Sequence, residues 1–437
     1  MAHIIPFSAM RFDKNTVGDL SAVTAPPYDV ISPEQQEKLY DRHPFNVVRL
    51  ELGKQLDDDD EYNNKYTRSR NILTEWLESG ILQCSDDPSV YIYGREFTLN
   101  DGRTLFCKGI MCLVRLEDIK SGVILPHENT AQKGKTDRYN LMCETGANFS
   151  AVYSLYTDSD KIIADAVNSV AINTPPETEF CDDESVCHRI WRIDDDETIL
   201  KIQNAFKNKQ LFIADGHHRY AAALNYRNMM RDKNPAHTGE EPYNFILMFL
   251  AETSDPGLVV FPAHRLVKNI PDFDETAVIT QLKENFFVEK TFVSKQAGSE
   301  IEVCLTQNLG KKIFAMYTGK DYYYTLVLKN TETAKSANPD KSEAYSCLDV
   351  TVLHTLVLDK IFGIDKESLQ ADHNLVYTCD FDRAAELAQT TAFQCAFFLN
   401  PPKISEICDI AAACETVPQK TTYFYPKIIT GMIMNKF

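Results

Sequence analysis

The sequence predicts a mixed α/β (α+β) protein of two domains, and three observations carry that expectation. At 437 residues the chain is longer than one hydrophobic core ordinarily organises. A strand-turn-strand pattern around Asn100-Asp101-Gly102 and a strand-turn-helix pattern around Asp215-Gly216 mix both element types within one region. After about residue 270 helical and strand-like segments alternate, which places a boundary near 266–275 and domains at 1–270 and 271–437.

Taken in order, Ala25 to Pro33 reads as extended loop, because its prolines fix φ and push their predecessors out of the helical region. Ser32-Pro33 opens a helix as cap and first residue. Asn46 to Leu52 reads as a strand ended by Gly53, and Glu61 to Gly80 as an amphipathic helix. Val90–Leu99 and Arg103–Leu116 form a hairpin whose Asn-Asp-Gly turn supplies positive φ. A polar loop over Pro126–Arg138 precedes a helix and a strand reaching Tyr156, and Asn173–Glu184 reads as loop. Leu211 to Ala214 is a buried strand that runs through Asp-Gly into the helix former Tyr220 to Leu224. Strands follow at Tyr243–Ala251 and Leu258–Arg265, then a hairpin of Lys312–Tyr317 with Tyr322–Leu328 and an apolar helix over Val350–Phe362.

Composition narrows the function classes. With 44% hydrophobic and 25% charged residues the chain is globular. A formal charge of −18 repels nucleic acid and anionic membrane, and no Lys/Arg run offsets it, so neither is expected as a partner. A small phosphate-bearing substrate is compatible, because a local cation cluster acts inside the screening length. No export signal and no apolar stretch of ~20 residues is readable, so a cytoplasmic location is expected. The twelve cysteines include no Cys-x-x-Cys pair and are expected to be mostly buried, reduced thiols.

Four segments concentrate chemistry. Asp215-Gly216-His217-His218-Arg219-Tyr220 sits at a helix mouth, where free N–H groups and the dipole favour an anion and glycine lets it approach. His127-Glu128-Asn129-Thr130, with Lys133, Lys135, Asp137 and Arg138, mixes an acid/base pair with three cations on a loop. Gln132-Lys133-Gly134-Lys135-Thr136 resembles the end of a P-loop, but Asn129 replaces the first glycine and no buried strand leads in, so a Walker motif is rejected. Tyr28-Asp29 sits in a proline-framed turn, and Arg49 and Glu51 would share one side of the expected strand. The tail offers Lys420, Thr421 and Thr422 before an aromatic run, and holds three lysines and no acid over Thr416–Phe437.

The segments PPYDVIS, NVVRLELG, HENT…KTDR, ANFSAVYSLY, IADGHHRYAAALNYR, GLVVFPAHRLV and PQKTTYFYPKIITG, in this order, resemble the family called domain of unknown function 1015. The DGHHR element is similar to the phosphate-binding motif of the ParB/sulfiredoxin superfamily, which includes kinases of free L-serine. The resemblance implies a ParB/sulfiredoxin-like core with an insertion over about 60–200, and a C-terminal domain whose tail returns to the site. It implies an enzyme of serine metabolism, a phosphotransferase that moves a phosphoryl group from pyrophosphate or a nucleotide to free L-serine, giving O-phosphoserine. On that reading Asp215, Gly216, His217, His218 and Arg219 cradle donor phosphates, and Lys133, Lys135 and Arg138 add clamps. His217 is also catalytic, Asp29 or Glu128 is the base, and Asp215 binds Mg²⁺. Tyr28, Arg49, Glu51, His127, Asn129, Lys420 and Thr421 would contact substrate. Where sulfiredoxins carry a reactive cysteine this chain has His217 and His218, so sulfinic-acid repair is not expected. A non-catalytic nucleotide-binding regulator and a phosphoserine phosphatase are the alternatives.

Overall fold

The computed structural model describes residues 2–128, 132–365, 374–418 and 420–437. Asn129, expected to contact substrate, lies outside them. The chain divides into two units: Met1–Pro126, Thr130–Val259 and Pro426–Phe437 form the first, and His127–Asn129 with Val260–Tyr425 the second.

The first unit is built on a nine-stranded mixed sheet. Its strands are β1 (Ile4–Ile5), β2 (Val90–Thr98), β3 (Thr104–Arg115), β4 (Ile124–Pro126), β5 (Val152–Tyr156), β6 (Thr178–Cys181), β7 (Cys187–Ile193), β8 (Leu211–Asp215) and β9 (Phe245–Glu252). Their order is β4-β8-β5-β9-β3-β2-β7-β6, with β1 beside β3. β4 runs parallel to β8 and β5 parallel to β9, whereas the other neighbours are antiparallel. The β2–β3 hairpin forms as expected, with Thr98 opposite Thr104 and Gly102 at φ 85°. Only a residue without Cβ adopts that backbone cheaply, so glycine ends the turn.

Alternation along the strands separates two faces. One carries Ile92, Ile110, Cys112, Val152, Met248 and Leu250 into a core with Ile163 and Val167, Ile199 and Phe206, and Tyr220 and Ala223. The other aligns Asp215, Tyr153 and Phe249 across β8, β5 and β9. Farther along that face Cys107 lies opposite Arg95 on β3 and β2. Near this face a second cluster packs Leu39, Val48, Leu50, Leu73 and Trp76 from α1 (Pro33–Arg42), α2 (Val48–Glu51) and α3 (Lys65–Glu78) with Leu141, Phe149 and Met434. Ser32 and Gln35 close the capping box of α1.

Four expectations are corrected. Asn46–Leu52 is not a strand: Asn46 accepts the Val48 N–H (3.0 Å) and anchors on the Ala22 and Thr24 carbonyls, and the chain turns into α2. The run misleads because Val47, Val48, Leu50 and Glu51 are all buried, so it carries no alternation to distinguish the two states. The polar loop through Arg138 is a helix from residue 132, α4 (Gln132–Thr145), after which α5 (Ile162–Asn173) and α6 (Asp196–Phe206) follow. The loop Asn173–Glu184 contains the edge strand β6, and Cys181 is disulfide-bonded to Cys187, its register partner on β7. Ten of the twelve cysteines are free thiols, as expected, but only Cys107, Cys112 and Cys395 of them are buried, so the expectation of mostly buried thiols does not hold.

The second unit is a six-stranded sheet of β10 (His264–Val267), β11 (Phe286–Phe292), β12 (Ile313–Tyr317), β13 (Tyr322–Leu328), β14 (Leu375–Thr378) and β15 (Cys395–Leu399), ordered β11-β13-β12-β15-β10-β14. The expected hairpin pairs β12 with β13, and the apolar segment after Leu348 is helical over Asp349–Leu353 and continues as a π-helix over His354–Asp359. Among the described residues no helix is long and apolar enough to cross a membrane.

Candidate functional site

The strand-turn-helix element takes the form the sequence suggests. β8 ends at Asp215, Gly216 turns the chain at φ 88°, and α7 (His217–Lys233) begins at once. A side chain at residue 216 would be strained by that φ, and its Cβ would come within 2.9 Å of Arg219 Nε. Glycine therefore does two things here: it makes the turn and lets the guanidinium lie over the helix mouth. His217 and Arg219 are buried, at 7% and 8% exposure. Arg219 donates to the Ala151 carbonyl and stands 3.8 Å from Asp215 Oδ1, and its Nε is buried without a hydrogen-bond partner.

Asp215 is the electrostatic centre of this mouth. The Gly216 N–H donates to its Oδ1 at 2.7 Å, and Lys427, from the tail, places Nζ 2.8 Å from Oδ2. Burial alone would raise the carboxyl, but Lys427, Arg219 and His217 outweigh it and hold the group well below the usual carboxylate range. The tail is itself fixed by a wholly buried residue. Arg95 donates to the Pro426 carbonyl and to Cys107 Sγ (3.2 Å), with its guanidinium among the rings of Tyr93, Tyr153 and Phe249. The Ala25 and Thr430 backbones exchange hydrogen bonds at 2.8 and 3.2 Å, and Met10 and Met434 do the same at 2.9 and 3.0 Å.

Asp215 was expected to hold magnesium. Its two oxygens instead meet an ammonium and a backbone N–H, with a guanidinium nearby. Among the described residues no group of three His, Cys, Asp or Glu could hold a metal ion. That donor set fits an ion pair rather than a hard-cation centre, which needs several oxygens.

The structure brings a second segment against this helix. At Gly134 on α4 a Cβ would lie 2.3 Å from His218 Nδ1, so the imidazole occupies the space glycine leaves, flanked in sequence by Lys133 and Lys135. Lys133 is exposed and Lys135 half-buried. Arg138 is deeply buried and committed: Nη1 donates to the Glu51 carbonyl and to Glu51 Oε1, both at 3.0 Å, and its other donors meet Asp137. Burial works against the Asp137 carboxylate, but Arg138 and Lys65 bring its pKa down to about 2. Ser150 Oγ also donates to Glu51 Oε1 at 2.8 Å, and Glu51, Arg138, Ser150 and Arg219 line a small cavity of about 30 Å³.

Of the other expected residues in this unit, Tyr28 lies under Arg138, its ring 3.9 Å from the guanidinium, and burial pushes its hydroxyl pKa up. Asp29 is exposed on a single 3₁₀ turn. Arg49 does not share a side with Glu51, because two residues along a helix diverge; it donates to the Tyr40 carbonyl (2.7 Å) and stacks on that ring.

In the second unit the His-Glu segment meets the Lys-Thr-Thr segment of the tail. The Thr421 N–H donates to Glu128 Oε1 (3.4 Å), His127 Nε2 lies 3.1 Å from Thr422 Oγ1, and the Val417 N–H donates to the His127 carbonyl (2.7 Å). Lys420 is exposed in the left-handed region at φ 56°, and its carbonyl accepts from the buried Arg265 at 3.3 Å. Sequence reasoning missed Lys427, Arg95 and Ser150. The one signal toward Lys427 was the acid-free, lysine-bearing tail; Arg95 sits in a hairpin strand with nothing to mark it.

No curated protein matches the chain. The model of a family described as a protein of unknown function (DUF1015) matches residues 4–351. The chain is similar to the solved structure of a free serine kinase in complex with AMP, at 14% identity and TM-score 0.35, over 72% of this chain and 86% of that one. It is similar to a conserved hypothetical protein from Pyrococcus furiosus at 16% identity and TM-score 0.34, over 73% and 92%. A third likeness is to SbnI with a C-terminal truncation from Staphylococcus aureus, at 9% identity and TM-score 0.34, over 73% and 85%.

Proposed function

The chain belongs to the DUF1015 family, and from that membership and the helix-mouth geometry we propose that it is a cytoplasmic phosphotransferase, moving a phosphoryl group from pyrophosphate or a nucleotide to the hydroxyl of free L-serine. One observation carries the reading: a glycine turn at φ 88° opens α7 beneath a nine-tenths-buried Arg219 whose Nε has no partner. Free helix N–H groups, the dipole and that guanidinium together favour a multiply charged anion. The choice of serine as acceptor, and of pyrophosphate among donors, rests on the motif resemblance.

In this reading Gly216 and the first N–H groups of α7 receive donor phosphate oxygens, while Arg219 and His218 neutralise them. Such transfer needs positioning and charge stabilisation more than covalent chemistry. Removal of the serine hydroxyl proton needs a base, and Asp29 and Glu128 are the two carboxylates assigned to it. The test is a donor-by-amino-acid matrix read by phosphorus NMR, with pyrophosphate, ATP and ADP as donors. Phosphoserine from at least one donor is expected, and its absence with all three rejects the kinase reading. Binding without turnover would instead mark a regulator. Full activity in His217→Ala would move the site elsewhere.

A further inference from the structure

The expected phosphate and substrate ligands do not include Lys427, yet its ammonium pairs with Asp215 at the helix mouth. It reaches Asp215 Oδ2 at 2.8 Å, and the two side chains are 16% and 18% exposed. Its approach is fixed on both sides in sequence. Arg95, wholly buried, holds the preceding carbonyl of Pro426, and Thr430 is bridged to Ala25 three residues later. A flexible lysine contributing only to surface solubility would need no such anchoring.

A second observation is Arg219 itself: deeply buried, it donates to the Ala151 carbonyl and stands 3.8 Å from Asp215, while its Nε lies over Gly216 without a hydrogen-bond partner. A buried donor of this kind is costly until an acceptor joins it. Asp215 is thus the holder that keeps Lys427 in place, as carboxylates orient ligands in other charged sites.

We propose that Lys427 is a phosphate-binding residue of this site, a resident cation of the chain standing at Asp215 where a divalent metal was expected. The inference rests on the phosphotransferase reading for its ligand class, a pyrophosphate or terminal nucleotide phosphate. It gives Asp215 a positioning role, and anion binding at the mouth then needs no metal.

The test is titration calorimetry of the full chain with inorganic pyrophosphate, and separately with ADP, in EDTA. Wild-type protein is expected to bind at least one of them, and Lys427→Met to bind about tenfold or more weakly, the loss of one charge-assisted hydrogen bond. Lys427→Arg, which keeps the charge, should stay within about threefold and keep the wild-type thermal midpoint. Lys427→Met leaves Asp215 without its ammonium and should melt lower, so its affinity is read well below that midpoint, where circular dichroism shows it folded. Wild-type affinity in folded Lys427→Met, equal loss in both variants, or no metal-free binding by wild type each overturns the proposal. The two readings separate cleanly. Binding that depends on Lys427 without phosphoserine formation sinks only the kinase, whereas phosphoserine formation with an indifferent Lys427→Met sinks only the lysine's role.

Discussion

Arg138 grips Glu51 twice, through the backbone carbonyl and through Oε1, and both side chains are 5% exposed. With Asp137 and Ser150 added, the pair ties α4 to α2 inside the first unit. Glu51→Ala leaves a guanidinium buried against a single carboxylate and should cost about 3–5 kcal/mol in urea unfolding. Glu51→Leu combined with Arg138→Met should cost less than Glu51→Ala alone, because neither charge is then stranded.

Gly134 is in the first turn of α4, where alanine is ordinarily the better helix former. Here the sign reverses, since the new Cβ would meet His218 Nδ1 at 2.3 Å and an imidazole ring has little room to yield. Gly134→Ala is expected to destabilise the protein by about 1–3 kcal/mol and to weaken pyrophosphate binding. Gly134→Ala with His218→Ala should recover the stability but not the binding, as calorimetry and thermal melting would show.

In the second unit His264 is fully buried between Phe381 (4.1 Å) and Phe398 (5.0 Å), and neither ring nitrogen has a partner. Burial, with Arg265 adding in the same direction, pushes its pKa down to about 3. Between that value and the ordinary 6.5 the unfolded chain takes up a proton that the folded chain refuses. The stability is therefore complete above pH 6.5 and falls with pH by about 1.4 kcal/mol per unit. His264→Phe should remove about 2 kcal/mol of the loss seen between pH 7 and pH 5, measured by urea unfolding at both.

The Cys181–Cys187 bond joins register partners on an edge hairpin. Thiol titration in denaturant should count ten thiols without reductant and twelve with it. Closing so short a loop is worth about 2 kcal/mol on the chain-entropy account. Cys181→Ser should lower stability by that order, and the same count before and after reduction would rule the bond out.

Local chemistry was legible in the sequence, and distant pairing was not. The Asn-Asp-Gly hairpin, the Ser32 cap and the Asp-Gly helix mouth declare themselves because each is set by residues within a few positions of one another. Asn46–Leu52 misled because burial on every side erases periodicity. The His-Glu and Lys-Thr-Thr segments could be singled out separately, but the Thr421–Glu128 hydrogen bond spans nearly the whole second unit. Arg95, an ordinary strand residue by pattern, gave for the same reason no sign of holding the tail. The Cys181–Cys187 bond is local, and it was hidden instead by an acidic stretch that reads as loop.

The return of Pro426–Phe437 to the first unit bears on how the protein is made. A nascent chain emerges from the ribosome in sequence order, and domains usually fold as they appear. This one must wait. Its first unit is synthesised to Val259 without the segment that carries Lys427 and without partners for the Ala25 and Met10 backbones, and residues 260–425 must follow before they arrive. Until then Arg95 lacks the carbonyl of Pro426 and Asp215 lacks its ammonium. Translation thus delivers a nearly finished sheet with an unsealed helix mouth, which matures only once Pro426–Phe437 has been made.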